Sequence, residues 1–294
     1  MAGHGLRQVG VVGAGQMGLG IAYVTSTIAK VPVILLDRDG SQLEKALAFA
    51  DKLLKKDVEK SRFTKDEAKD ARERMSTTTK MDDLGQVGFV VEAATEQIKV
   101  KHAIFQSLAS TLRPDAVLAT NTSSISITRI AREAIDSRTG ESRASQVVGQ
   151  HWMNPVPVMK LVEIITGLET SKETLEKAQL FASACGKTTT TSRDEPGFIA
   201  NRVLMPYINE AIEVLNSGIA SLEDIDTTMK LGTNVPMGPL TLADFIGLDT
   251  CLEIMRVLHQ ETGDSKYRPS TLLVRMVDAG RFGKKNKKGF YLYQ

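Results

Sequence analysis

VGVVGAGQMGLGIA, residues 9–22, reads as a short buried strand running into a glycine turn and then into a helix. The apolar run Gln8 to Val12 is of strand length, and helical residues follow from Met17 to Ala29. Gly13, Gly15 and Gly18 stand between them in G-x-G-x-x-G spacing. A second apolar run, Pro32 to Leu36, ends in Asp37, an acid about 20 residues beyond the last glycine. Glycine turns are common, but strand, glycines, helix, strand and acid in this order make a dinucleotide site. Gly13 allows the tight turn, Gly15 lets backbone approach a pyrophosphate, and Gly18 lets helix approach strand. The helix start, with Gln16 and Met17, offers N–H groups and a positive dipole end to phosphates. Asp37 accepts from ribose hydroxyls and repels a 2′-phosphate, so NAD is the expected cofactor. Arg38 leaves NADP as a lesser alternative, and a nucleotide-free structural unit is the other.

Working outward, Ser41 to Arg74 is charged and helical, too long for one crossover helix. A helical hairpin turning near Ser61 to Thr64 is expected, with Thr64 and Glu67 resembling a capping box. Lys52, Lys55, Lys56 and Lys60 form a basic cluster there, a solvated face or a phosphate contact. Val87 to Glu92 and Ala116 to Thr120 read as buried strands around a helix from Glu96 to Leu112. The second strand ends in Asn121-Thr122-Ser123-Ser124, where open α/β sheets bind ligands; one of the two serines could instead cap a helix from Ile125 to Ala134. Asp136 to Ser145 is a polar loop. VVGQHWMNPVPVMKLVEII, residues 147–165, is two strands around a turn, because Pro155 and Pro157 cannot donate to a sheet ladder. A helix, Lys172 to Cys185, and a β-branched strand, Thr188 to Ser192, close the sheet.

At Asp194-Glu195-Pro196-Gly197 the pattern turns wholly helical: Pro196 reads as a helix start, followed by Phe198 to Asn216. Ser221 with Asp224 opens another helix, and Leu240 to His259 and Thr271 to Ala279 are two more; only Phe290 to Tyr293 reads again as strand. The expected fold is therefore α/β: an N-terminal Rossmann-like NAD-binding domain with a helical hairpin arm, residues 1–193, and a C-terminal all-helical domain, residues 194–294.

At 294 residues, 42% hydrophobic and 24% charged, the chain has the composition of an ordinary globular protein. A net charge of +2 gives no bulk electrostatic case for nucleic acid. Cys185 and Cys251 lie far apart without metal-ligand spacing, as in a reduced intracellular protein. No apolar run is of membrane-spanning length, and Met1 to Gly5 leave no room for a signal or transit segment before the first strand. A cytoplasmic location is expected over a mitochondrial one.

His151 ends the first strand of the 147–165 pair and Glu163 lies within the second. An imidazole with a carboxylate on the adjoining strand can be an oriented general base; with a nicotinamide domain that points to hydride transfer between alcohol and ketone. The structural alternative is a turn histidine and a glutamate paired with a surface lysine. The blocks VGVVGAGQMGLGIA, VVEAATEQIKVK, NTSSISIT, QHWMNPVPVMKLVEII, DEPGFIANRVLMPYINEAI, PMGPLTLADFIGLD and KKGFYLY resemble the short-chain L-3-hydroxyacyl-CoA dehydrogenases, of the 3-hydroxybutyryl-CoA dehydrogenase kind, along nearly the whole chain.

The resemblance implies NAD-dependent oxidation of a (3S)-3-hydroxyacyl-CoA to the 3-oxoacyl-CoA. It implies that His151 is the base and Glu163 holds its tautomer, while Ser123 and Asn201 bond the substrate oxygen. Asn154 would lie near the nicotinamide, and Glu96, Lys101 and Lys285 would contact the cofactor. The arm would cover coenzyme A, bringing in Lys60, and the helical domain would pair two subunits. Trp152 and Met153 depart from the family's usual aromatic pair after the histidine, and the segment through Ser137 to Ser145 is longer than usual. A dehydrogenase of a small free hydroxy acid, gulonate-type, and a non-catalytic crystallin-like relative are the alternatives.

Overall fold

Four-residue runs such as Val9-Gly-Val-Val and Phe89-Val-Val-Glu are buried at every position. Strands covered on both faces belong in a parallel sheet. The structure, a computed structural model, describes residues 6–294; expectations about Met1 to Gly5 lie outside the described residues. Its first compact unit reaches Glu195, and the second runs from Pro196 to Gln294.

The first unit carries β1 (Val9–Val12), β2 (Val33–Leu36), β3 (Met75–Thr78), β4 (Phe89–Glu92), β5 (Val117–Thr120), β6 (Val147–Trp152), β7 (Leu161–Thr166) and β8 (Thr188–Arg193). They form one sheet in the order β3-β2-β1-β4-β5-β6-β7-β8, parallel except at the β6–β7 hairpin. The order reverses between β2 and β4 around β1, so the crevice that receives ligands in such sheets opens where the glycine turn stands. The sequence reading leaves β3 unassigned: Met75-Ser-Thr-Thr is polar, and only Met75 of it is buried.

Helices α1 (Gln16–Thr27), α2 (Gly40–Glu59), α3 (Lys65–Glu73), α4 (Ile98–Thr111), α5 (Ile127–Ala131) and α6 (Lys172–Ala184) complete this unit. In the arm, α2 buries Leu43, Ala46, Ala50 and Leu54 and leaves Lys52, Lys55, Lys56 and Lys60 exposed. A capping box starts α3: the Thr64 hydroxyl accepts from the Glu67 amide at 3.1 Å, and the Glu67 carboxylate accepts from the Thr64 amide at 3.0 Å. Tyr23 of α1 donates to Asp57 at 2.7 Å, tying the arm to the glycine-turn helix. Helix α5 is shorter than expected, and neither Ser123 nor Ser124 caps it. Ser126 does, accepting from the Arg129 amide, because the two earlier serines are held by Glu96.

The second unit packs α7 (Ala200–Asn216), α8 (Leu222–Gly232), α9 (Pro239–Ile246), α10 (Leu248–Thr262) and α11 (Thr271–Asp278) around Met205, Ile208, Ile212, Leu252 and Met255. Three expectations are corrected here. Pro196 does not begin a helix: Gly197 and Phe198 both have positive φ, and α7 starts only at Ala200. The helix expected from Leu240 to His259 is two, broken at Gly247, whose φ of 106° no helix accommodates. Phe290 to Tyr293 is not a strand. Its backbone is held instead by the fully buried Asp244 carboxylate, which accepts from the amides of Phe290 and Tyr291 and from the Tyr293 hydroxyl, each at 2.9 Å.

Asp244→Ala leaves those three donors without their acceptor, and each bond to a charged group contributes about 1.5–3 kcal/mol. Chemical denaturation is expected to show a loss of roughly 3–5 kcal/mol in the transition that unfolds the helical unit. A change below about 1 kcal/mol would mean that the tail is held by other contacts.

Candidate active site

The β6–β7 register sets His151 directly opposite Glu163. Residues opposed across an antiparallel pair face the same side, so the ring and the carboxylate must meet. His151 Nδ1 lies 2.7 Å from Glu163 Oε2, and the Glu163 side chain is 1% exposed against 12% for His151. A carboxylate only accepts, so Nδ1 donates to Glu163, and in the neutral ring Nε2 is then the acceptor nitrogen. Asn121 braces the same strand: its Oδ1 accepts from the Trp152 amide at 3.0 Å. Behind it, the Trp152 ring meets Phe181 edge-on with centroids 5.9 Å apart.

The chain from 121 to 128 lies at the carboxyl end of β5 and is pinned from two sides. Glu96 Oε1 accepts from the Thr122 hydroxyl at 2.6 Å, from the Ser123 amide at 2.7 Å and hydroxyl at 3.0 Å, and from the Ser124 amide at 3.2 Å. Burial pushes the Glu96 carboxyl pKa up, but Lys101 and the Thr122 and Ser123 bonds outweigh it and hold the group below the usual carboxylate range. Asp194, just ahead of the unit boundary, accepts from the Ser126 hydroxyl and from the amides of Ile127 and Thr128. The resemblance has Lys101 contact the cofactor. Its side chain is wholly buried and paired with Glu92 at 2.8 Å and Glu96 at 3.5 Å, so it reaches the site through Glu96.

The glycine turn fits a dinucleotide. Gly13 has φ 101°, and a Cβ there would stand 2.7 Å from the Ala93 carbonyl oxygen. A Cβ on Gly18 would stand 1.8 Å from the Gly13 carbonyl oxygen, while one on Gly15 would meet nothing within 4 Å. The space beside Gly15 is thus open at the start of α1, which has neither a side-chain cap nor an acid in its first turn. Its first amides are left to a phosphate. Asp37 Oδ2 accepts from the Ala14 amide at 2.8 Å and Oδ1 from the Asp39 amide at 3.0 Å, which aims the carboxylate at the turn. Gln16 Nε2 donates to Asn154 Oδ1 at 3.0 Å, joining the glycine turn to the His151 hairpin. Met17 is half-buried against the core.

The remaining expected residues take their places each within its own unit. Lys60 is exposed at the end of α2. In the helical unit, Asn201 is buried in the first turn of α7, and Lys285 pairs with Asp249 and lies 5.3 Å from the Phe282 ring centroid. From the sequence Asn121 is expected only as part of the ligand-binding strand end 121–124, and Glu92 and Asp194 have no expected role. An acid ending an otherwise apolar buried strand is the signal that could have marked Glu92.

The family model described as 3-hydroxyacyl-CoA dehydrogenase, NAD binding domain, matches residues 8–195, and that of the C-terminal domain matches 197–293. The chain is 46% identical over 289 residues to a 3-hydroxybutyryl-CoA dehydrogenase of Bradyrhizobium diazoefficiens, covering 98% of this chain and 96% of the relative. It is 39% identical over 297 residues to the human protein named hydroxyacyl-coenzyme A dehydrogenase, mitochondrial, covering 98% and 92%. The crystal structure of (S)-3-hydroxybutyryl-CoA dehydrogenase from Ralstonia eutropha superposes with a TM-score of 0.93 at 42% identity, covering 98% of this chain and 99% of that one.

Proposed function

The chain belongs to the 3-hydroxyacyl-CoA dehydrogenase family, and on that premise we propose how its residues carry the reaction. It is an NAD-dependent oxidoreductase that interconverts a 3-hydroxyacyl-CoA and the 3-oxoacyl-CoA. The substrate we assign is the short-chain (3S)-3-hydroxybutyryl-CoA, the acyl group in the names of several relatives. NAD, when bound, supplies the hydride acceptor.

The glycine turn, Gln16 and Asp37 bind the pyrophosphate and adenosine ribose, and Asn154, held by Gln16, orients the nicotinamide end. Nε2 of His151 takes the substrate hydroxyl proton as the C3 hydride departs. Glu163 keeps Nδ1 protonated and stabilises the imidazolium that forms. Ser123 holds the substrate oxygen, and Asn201 takes the same role on its family motif, as Lys285 does toward the cofactor. Lys60 on the arm meets the phosphates of coenzyme A. The observation that carries the assignment is the 2.7 Å pairing of His151 with a buried carboxylate.

Exposed Ile199 and Val203, one turn apart at the start of the helical unit, support pairing of two copies through that unit. Two unpaired buried cysteines support a reducing, cytoplasmic setting. Among the described residues no helix is long and apolar enough to cross a membrane.

The test is an NADH-oxidation assay over 3-oxoacyl-CoAs of increasing chain length, with free acetoacetate and a keto-sugar acid beside them. Acetoacetyl-CoA is expected to give the highest kcat/KM, at least about 100-fold above free acetoacetate and above the same reaction with NADPH. Preference for a free acid would overturn the substrate. Preference for NADPH would overturn the role of Asp37.

A further inference from the structure

We propose that Glu92 is a positioning residue that sets the Ser123 loop and the glycine turn together. It rests on the assignment of Ser123 to the substrate oxygen. Glu92 ends β4, in register with Val12 before the glycine turn on one side and with Thr120 before the serine loop on the other. Its side chain has no exposed surface.

Four donor contacts saturate the carboxylate. Oε1 accepts from the Ala94 amide at 2.7 Å and from Lys101 Nζ at 2.9 Å; Oε2 accepts from Lys101 Nζ at 2.8 Å and from the Thr120 hydroxyl at 2.6 Å. The first of these steadies the turn whose Ala93 carbonyl closes on Gly13. The lysine then passes the constraint on, with Nζ 3.5 Å from Glu96 Oε2. The other oxygen of Glu96 is the one that gathers Thr122, Ser123 and Ser124.

A buried ion pair is a weak device for stability alone, because apolar groups of the same volume often do as well. What the pair supplies here is direction. Glu92 fixes the ammonium, and the ammonium fixes which way a partly exposed Glu96 turns. Removing Lys101 alone would leave Glu92 as an unpaired buried charge, confounding position with folding. The double variant Glu92→Gln/Lys101→Met removes both charges and leaves Glu96 without its cation.

The experiment measures thermal stability, amide exchange without ligand, and steady-state kinetics with acetoacetyl-CoA and NADH for wild type, the double variant and Thr120→Val. The double variant is expected to fold and to keep KM for NADH within about 3-fold, because the glutamine oxygen still accepts from the Ala94 amide on the glycine-turn side, with kcat lower by about 10- to 100-fold. Exchange at the Ser123 and Ser124 amides should rise at least about 10-fold, while Ala119 within β5 stays protected. Thr120→Val, which keeps the ion pair, should lower kcat by about 3- to 10-fold and speed exchange at the same two amides. Wild-type kcat and exchange in the double variant would overturn the proposal. If that variant does not fold, wild-type values in Thr120→Val would do so. Exchange needs no substrate, so a wild type inert toward acetoacetyl-CoA would remove the dehydrogenase reading and still leave Glu92 to be judged.

Discussion

His151→Gln is expected to lower kcat for acetoacetyl-CoA reduction by about 100- to 10,000-fold, with the dissociation constant for NADH nearly unchanged. Glutamine keeps a hydrogen-bonding end of similar reach but has no basic nitrogen. It can bond Glu163 and cannot exchange a proton with the substrate oxygen. The glycine turn, Asp37 and Gln16 bond elsewhere, and the Gln16–Asn154 bond between turn and hairpin is left in place by the substitution. The loss should therefore fall on kcat. A drop confined to KM would make His151 a binding group, and near-wild-type turnover would remove it from the chemistry.

The second large effect concerns the turn. In Gly18→Ala the new Cβ would stand 1.8 Å from the Gly13 carbonyl oxygen, a backbone atom without rotamers to yield. Helix α1 has to move away from the turn, and its first amides move with it. A displacement near 1 Å in a positioned site costs about 100-fold, and overpacking costs about 1–3 kcal/mol of stability, sometimes more. NADH affinity is expected to fall about 100-fold and the melting temperature to drop in the same variant. Gly15→Ala is the control. Its Cβ meets nothing within 4 Å, so stability should hold while NADH binding weakens, the space beside Gly15 being where backbone must approach pyrophosphate. Titration of both variants by NADH fluorescence and thermal denaturation separates the two. Native affinity and stability in Gly18→Ala would contradict the packing that the turn requires.

Much of this was legible beforehand because it is local. Apolar runs bounded by prolines and glycines mark strands whatever surrounds them; six of the eight strands announce themselves in this way, and β8 does so by its β-branched threonines. Met75-Ser-Thr-Thr does not, since an edge strand with one buried residue needs no apolar pattern. The helix breaks were illegible for a related reason. Whether Gly247 interrupts a helix or sits inside one depends on a φ that packing selects, and glycine permits either. Likewise the final Phe-Tyr-Leu-Tyr run is apolar enough for a strand, but a carboxylate from α9 captures its amides first.

Order of residue types along the chain was sufficient for the α/β half, the helical half and the cofactor turn, and it put His151 and Glu163 on adjoining strands while leaving their pairing open. Periodicity and turn chemistry act over a few residues, whereas the register of β6 and β7 across residues 153–160 is set by which faces the two strands bury. The buried relay from Glu92 through Lys101 to Glu96, the bracing of Trp152 by Asn121, and the grip of Asp194 on the start of α5 came only with tertiary structure. Those contacts join side chains from different strands and helices, where the distance between carboxylate and donor is set by how the sheet twists and stacks. No spacing in the sequence encodes that distance.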